Sequence, residues 1–162
     1  MSKKIRIKVN RDACSGCLSC MTTCSMVNES YASLSAARVQ IGLRPFDGPH
    51  EITLCRQCTQ AGCLEACPEG AIARAADGCV VVDYGRCTGC RACIEACPFG
   101  AMFWNPISEK VIKCELCRAD TLHPAEPLYP GDPQCVQACP TGALTIQIMP
   151  DEKTRQKHGE SQ

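Results

Sequence analysis

The stretch Cys87-Thr88-Gly89-Cys90-Arg91-Ala92-Cys93-Ile94-Glu95-Ala96-Cys97-Pro98-Phe99-Gly100-Ala101-Met102 sets four cysteines at C-x2-C-x2-C-x3-C spacing and follows the last with proline. Its second half recurs as Cys63-Leu64-Glu65-Ala66-Cys67-Pro68-Glu69-Gly70-Ala71-Ile72 and as Cys135-Val136-Gln137-Ala138-Cys139-Pro140-Thr141-Gly142-Ala143-Leu144. A repeat that extends past the cysteines into Pro, Gly, Ala and an apolar residue marks one structural unit used several times. Pro68, Pro98 and Pro140 lack an amide hydrogen and fix φ, so each ends a helical turn just after a cysteine.

Working outward, sixteen of the seventeen cysteines fall into four groups. Group one is Cys14, Cys17, Cys20 and Cys24; group two is Cys55, Cys58, Cys63 and Cys67; group three is Cys87, Cys90, Cys93 and Cys97; group four is Cys114, Cys117, Cys135 and Cys139. Group one has the spacing of group three but ends Cys24-Ser25, which places its last cysteine on a longer helix running toward Ser30. Short extended runs precede the groups at Ile5 to Val9, Ile52 to Leu54, Val80 to Val82, and Val111 to Ile112. Each unit reads as strand, sulfur loop, helical turn, turn and strand.

Composition says why so much sulfur is needed. Leu, Ile, Val and Phe together number 30 of 162 residues, with seven aromatic residues. That is too little apolar surface to offset the entropy of ordering the chain. The formal net charge is zero and apolar strands recur, which argues against disorder. An odd cysteine total fits disulfides poorly, and Met1 to Val9 carries neither a secretory apolar run nor a twin-arginine motif. No stretch approaches the roughly 20 apolar residues of a membrane span. The expectation is a cytoplasmic chain built around metal, since reducing compartments favour thiolate–metal bonds.

Soft thiolates select zinc, copper(I) or iron–sulfur clusters. Zinc sites join two separated cysteine pairs, whereas three thiols at i, i+3 and i+6 suit three corners of a cubane, the C-x2-C-x2-C-x3-C run of bacterial ferredoxins. The fourth cysteine of such a run ligates the other cluster of a pair. Groups two and three are adjacent and pair with each other; groups one and four pair around them. The expected sets are Cys14, Cys17, Cys20 with Cys139; Cys114, Cys117, Cys135 with Cys24; Cys55, Cys58, Cys63 with Cys97; and Cys87, Cys90, Cys93 with Cys67. The fold class is α+β, with two ferredoxin-like units of two 4Fe-4S clusters each and little regular structure. Residues 1–50 with 105–150 form the outer unit, 51–104 the inner one, and 151–162 a polar tail.

Four cysteines per cluster leave no iron open for Lewis-acid chemistry, so one-electron transfer remains and no catalytic residue is assigned. Four clusters in a chain this small lie close enough to form a wire. Sixteen thiolates and four cores of charge about +2 add about −8 to the formal charge. Arg56, Arg86, Arg91, Lys113 and Arg118 stand near the groups and can offset it, although most surface cations are simply solvated.

The four groups, Arg38-Val39-Gln40-Ile41 and Lys113-Cys114-Glu115-Leu116-Cys117-Arg118 together resemble the four-cluster ferredoxin subunits of the dimethyl sulfoxide reductase type over about residues 3 to 148. The resemblance implies a partner bearing a large tungsten or molybdenum pterin oxidoreductase subunit. It is most similar to the small subunits of tungsten-dependent aldehyde oxidoreductase complexes, which implies a flavin-containing NAD-linked subunit as well. Subunits serving cytosolic formate dehydrogenase, carbon monoxide dehydrogenase or hydrogenase share the motifs and remain alternatives.

Other features read more plainly. Cys79 lies outside the groups at a hairpin turn and is expected as a buried filler. The proline-spaced insert from Arg118 to Gln134 is either a docking arm or a cover for the outer clusters. Phe99, Phe103 and Trp104 are expected to pack over a cluster, and His50, His123 and His158 lack ligand spacing. No basic patch interleaved with aromatics supports nucleic-acid binding. A redox- or oxygen-sensing protein needs an effector module for which 162 residues leave no room, and a free ferredoxin working without a fixed complex is a further reading. Clusters in a line with exposed ends also allow end-to-end self-association.

Overall fold

The computed structural model describes residues 5–118 and 133–149. The tail 151–162 and most of the insert between Arg118 and Gln134 lie outside the described residues. Eight short strands and four helices are present among them, in the order β1 (Ile5–Val9), α1 (Ser19–Glu29), β2 (Val39–Gly42), β3 (Glu51–Leu54), α2 (Gly62–Glu65), β4 (Ile72–Arg74), β5 (Val80–Val82), α3 (Ala92–Glu95), β6 (Phe103–Asn105), β7 (Lys110–Ile112), α4 (Gln134–Gln137) and β8 (Leu144–Ile148). The four expected strands are there, and group one does carry the long helix: α1 has 11 residues against 4 in α2, α3 and α4.

All the strands pair antiparallel, in four separate two-stranded sheets. Three are local hairpins, β2–β3, β4–β5 and β6–β7. The fourth joins β1 to β8, with Ile5 opposite Ile148 and Val9 opposite Leu144, so both ends of the described chain meet in one ribbon. Helix α1 packs on α4 and α2 packs on α3.

Two apolar clusters result. Ile7, Met21, Val39, Leu54 and Leu144 centre the first, together with Cys20, Cys24, Cys114 and Cys135. Ile72, Val80, Val82, Met102 and Val111 centre the second with Cys93. The expected divisions at 50/51 and 104/105 both fall inside hairpins, because a strand's apolar face follows its hairpin partner. Ile52 and Leu54 of β3 therefore sit with β2 in the first cluster, and Val111 of β7 sits with β6 in the second.

The break in the repeat at Ser25 has a structural cause. Its hydroxyl is fully buried, donates to Thr22 O at 3.0 Å within α1 and accepts the Ser33 N–H at 2.9 Å. Proline here would interrupt α1, whereas serine continues the helix and pins the chain that returns from it.

Candidate functional site

The residue before the second cysteine of every group is left-handed: Gly16 at φ 71°, Gln57 at φ 52°, Gly89 at φ 75° and Leu116 at φ 60°. This reversal wraps three sulfurs of one loop around a common space. At Gly89 a Cβ would come within 2.7 Å of Glu109 O, so the loop needs glycine for space as well as for φ.

The Cys-Pro-x-Gly-Ala repeat also has a shared geometry. Gly70, Gly100 and Gly142 take φ of 56°, 58° and 66°. Each returns its N–H to the carbonyl of the preceding cysteine, Cys67, Cys97 or Cys139. The next N–H then points back at sulfur: Ala71 N donates to Cys67 Sγ at 3.3 Å and Ala101 N to Cys97 Sγ at 3.4 Å. Burial works against the Cys139 thiolate, yet backbone N–H groups of Leu144, Thr141 and Ala143 hold its pKa below the usual thiol value. Cys24, on α1, gets the equivalent bond from Arg38 N at 3.2 Å.

Eight of the sulfurs line two cavities. Cys14, Cys17, Cys20 and Cys139 line one cavity, walled by Ile41, Ile52 and Leu144. Cys67, Cys87, Cys90 and Cys93 line a second, walled by Ile72, Val82 and Val111. Burial pushes the Cys135 thiol well up, and the nearby sulfurs of Cys114, Cys24 and Cys117 push it further. Burial likewise raises Cys63, with Cys55, Cys97 and Cys58 adding to it. Both cavities thus take three cysteines from one loop and one from another.

Four thiols crowded into an apolar space disfavour charge. Burial, with smaller contributions from neighbouring sulfurs, lifts Cys20, Cys24 and Cys93 to about 11. A cationic core reverses this by neutralising thiolates that already receive N–H bonds, so the donor set fits a thiolate-bound cluster. Among the described residues no three His, Cys, Asp or Glu are drawn together tightly enough for a single metal ion. A cubane needs the wider arrangement these cavities have, because its thiolates bind four separate irons.

Burial holds protons on these thiols that the unfolded chain loses above pH 9, so without a cluster the folded arrangement is disfavoured further as pH rises through about 11. Cluster loading must expel those protons and is therefore favoured by rising pH. Anaerobic reconstitution in a pH-stat should release protons and go further toward completion at pH about 8.5 than at about 6.5. Loading independent of pH would contradict buried thiol ligands.

The cations of the sequence are mostly engaged. Arg56 stacks on Phe99 at 4.0 Å and Arg91 on Trp104 at 3.8 Å from the ring centroid. Trp104 is half-buried against the second apolar cluster, beside Gly89. Arg86 donates to Glu69 O at 2.8 Å, and Arg118 pairs with Asp77. Lys113 departs most from a solvated cation: it is 0% exposed. Cys79 is buried, its sulfur 3.7 Å from Val80 O and Glu115 O, as a filler would be. His50 accepts from Arg44 N through Nδ1. An open groove of about 400 Å³ is lined by Arg6, Lys8, Arg11 and Arg56 with Cys55 in its wall, quite unlike the sulfur-lined cavities.

Sequence reasoning did not foresee a buried ion network beside the sulfurs. Arg38 reaches Glu29 and Glu115, each at 3.2 Å. Glu115 also accepts the Val82 N–H at 2.7 Å. Its visible signals are Arg38 in Arg38-Val39-Gln40-Ile41 and Glu115 in Lys113-Cys114-Glu115-Leu116-Cys117-Arg118.

Sulfur-lined cavities with N–H bonds to thiolate, on short strands and turns, define an iron–sulfur protein of ferredoxin-like build. The chain belongs to the 4Fe-4S dicluster domain family, whose model matches residues 50–149, and a 4Fe-4S binding domain model matches residues 11–27. Its cysteines fit four 4Fe-4S clusters. It is 33% identical over 138 residues to the thiosulfate reductase electron transfer subunit PhsB of Salmonella typhi, covering 81% of this chain and 69% of that one. It is 32% identical over 166 residues to the B subunit of the polysulfide reductase of Wolinella succinogenes, covering 96% and 82%. Against Protein NrfC of Escherichia coli the identity is 35%, and the match spans only 62% of that protein's length. In fold, the chain is similar to the active site complex BamBC of benzoyl coenzyme A reductase, with a TM-score of 0.51 and 24% identity over 96% of this chain and 86% of that one.

Proposed function

We propose that this chain is a non-catalytic electron-transfer subunit whose four clusters are held by Cys14, Cys17, Cys20 and Cys139; by Cys114, Cys117, Cys135 and Cys24; by Cys55, Cys58, Cys63 and Cys97; and by Cys87, Cys90, Cys93 and Cys67. The observation that supports it is that two cavities are each lined by three cysteines of one group and one of another, the arrangement that would give every iron of a cluster a thiolate. When bound, a 4Fe-4S cluster supplies one-electron storage. The chain's own residues hold the thiolates, direct N–H groups at sulfur and exclude water with Ile and Val walls. The fields of Cys20 at Cys135 and of Cys55 at Cys114 favour one route. The order is then group one, group four, group two, group three, with the first and second pairs forming two ferredoxin-like units.

The partner in this reading is a large molybdenum or tungsten pterin oxidoreductase subunit, in keeping with the thiosulfate reductase and polysulfide reductase relatives. The finer reading, an aldehyde-oxidising tungsten complex with a flavin-containing NAD-linked subunit in the cytoplasm, rests on motif likeness alone. Among the described residues no helix is long and apolar enough to cross a membrane.

Anaerobic purification tests it. About 16 iron and 16 sulfide per chain, reducible by about four electrons, and a co-purifying pterin subunit containing tungsten or molybdenum are the expected results. Zinc alone, or an exchangeable iron that binds substrate, would sink the reading; nickel in the complex would move the partner to a hydrogenase or carbon monoxide dehydrogenase.

A further inference from the structure

We infer that Lys113, positioned by Gln57, is the residue that sets the potentials of the two centres on either side of the crossing between group two and group four. Resting on the ligand sets proposed above, this deepens that reading.

Lys113 is fully buried. Its Nζ donates to Val80 O and, at 2.8 Å, to Cys114 O. Gln57 completes the node: its Nε2 donates to the same Cys114 carbonyl at 2.8 Å, and its Oε1 accepts the Val80 N–H at 2.8 Å. The node therefore ties together the group-two loop, hairpin strand β5 and the group-four loop. Gln57 is buried and sits at φ 52°, where groups one and three have glycine. A side chain at a position that favours glycine is strained, and the two hydrogen bonds of Gln57 offset that strain.

Charge is the telling feature. Arg38, the other buried cation, is matched by Glu29 and Glu115. Among the described residues no carboxylate pairs with Lys113. A buried ammonium with only carbonyl partners is costly unless negative charge lies close by. Lys113 precedes Cys114 in the chain and meets its carbonyl, and Gln57, which shares that carbonyl, precedes Cys58, so the ammonium lies between the loop of group two and that of group four. A cluster with four thiolates and a core of about +2 carries about −2, and two such clusters would flank this ammonium. Each added electron makes a cluster more negative, so a cation between the two favours reduction of both and eases passage across the crossing.

The test is potentiometric titration of the four-cluster protein followed by electron paramagnetic resonance, comparing wild type with Lys113→Gln, which keeps a donor but removes the charge. Two of the four couples should fall, each by at least a tenfold change in its reduction equilibrium, about 59 mV for one electron, while the other two stay put. Lys113→Arg should leave all four close to wild type. Should Lys113→Gln fail to load its clusters, Gln57→Glu sets a carboxylate against the retained Lys113 and should lower the same two couples. Four unmoved couples, four that move together, or loss of clusters in both Lys113→Gln and Gln57→Glu would overturn the proposal, the last by making the node scaffold alone. Failure of the underlying ligand reading is distinguishable, because it would appear in the wild-type iron and sulfide content.

Discussion

Removing the iron with a chelator under anaerobic conditions should unfold the protein, abolishing its secondary-structure circular dichroism and shifting Trp104 fluorescence toward that of a solvent-exposed indole. Nothing else in the described fold is large enough to stand alone. Helices α2, α3 and α4 have four residues each, far below the length at which a helix is stable in water. Every sheet has two strands, and an isolated two-stranded ribbon is marginal at best. The buried hydrophobic set is rich in cysteine and alanine: Cys20, Cys24, Cys114 and Cys135 belong to the first apolar cluster itself. Each cluster would cross-link two loops far apart in sequence, so its loss removes the ties that bring β1 to β8 and α1 to α4. Metal binding is then folding free energy. Re-addition of iron and sulfide should restore both signals together. A metal-free chain that keeps its dichroism and unfolds cooperatively in denaturant would show a sufficient apolar core and defeat the prediction.

What the sequence made legible divides along a physical line. Cysteine spacing, the Cys-Pro-x-Gly-Ala exits and the short strands are local patterns, and a ligand loop has few ways to fold around a cubane. The β1–β8 ribbon, by contrast, joins strands 135 or more residues apart that no local pattern links. The buried polar groups were another matter. Arg38 meets Glu115 77 positions away, Gln57 meets Cys114 57 away and Lys113 meets Val80 33 away. No local pattern distinguishes those cations from solvated ones, and Lys113 looked no different from Arg86 or Arg91. Hairpin partnership, not cysteine grouping, decides where β3 and β7 pack, which is why the divisions expected at 50/51 and 104/105 fall within hairpins.

Replacing Arg38 with leucine should destabilise the loaded protein by about 3–5 kcal/mol, the largest effect expected of any substitution that leaves all sixteen thiols in place. The Arg38 side chain is 3% exposed, and those of Glu115 and Glu29 are 1% and 14% exposed. Burial disfavours the guanidinium's charge, but Tyr84, Glu115 and Glu29 more than restore it, so its pKa lies above the usual arginine value. Leucine would take the Arg38 charge away from Glu115 and leave a cavity beside it, and removing one partner of a buried ion pair costs far more than the pair contributes. The ring of Tyr84, 5.4 Å from the guanidinium, would lose its cation as well. Cluster loading should survive, because the bond to Cys24 Sγ comes from the Arg38 backbone N–H, which leucine keeps. Anaerobic guanidinium denaturation, followed by bleaching of the cluster absorbance, reads the change as a lower midpoint. Adding Glu115→Leu should recover part of the loss, since a buried ion pair exchanged for apolar side chains of similar size is often close to neutral. Recovery should be incomplete, because Glu115 also accepts the Val82 N–H at 2.7 Å and leucine leaves that donor without its acceptor. A midpoint unchanged in Arg38→Leu would mean that water already reaches the carboxylates, and the network would then count for little more than a surface salt bridge.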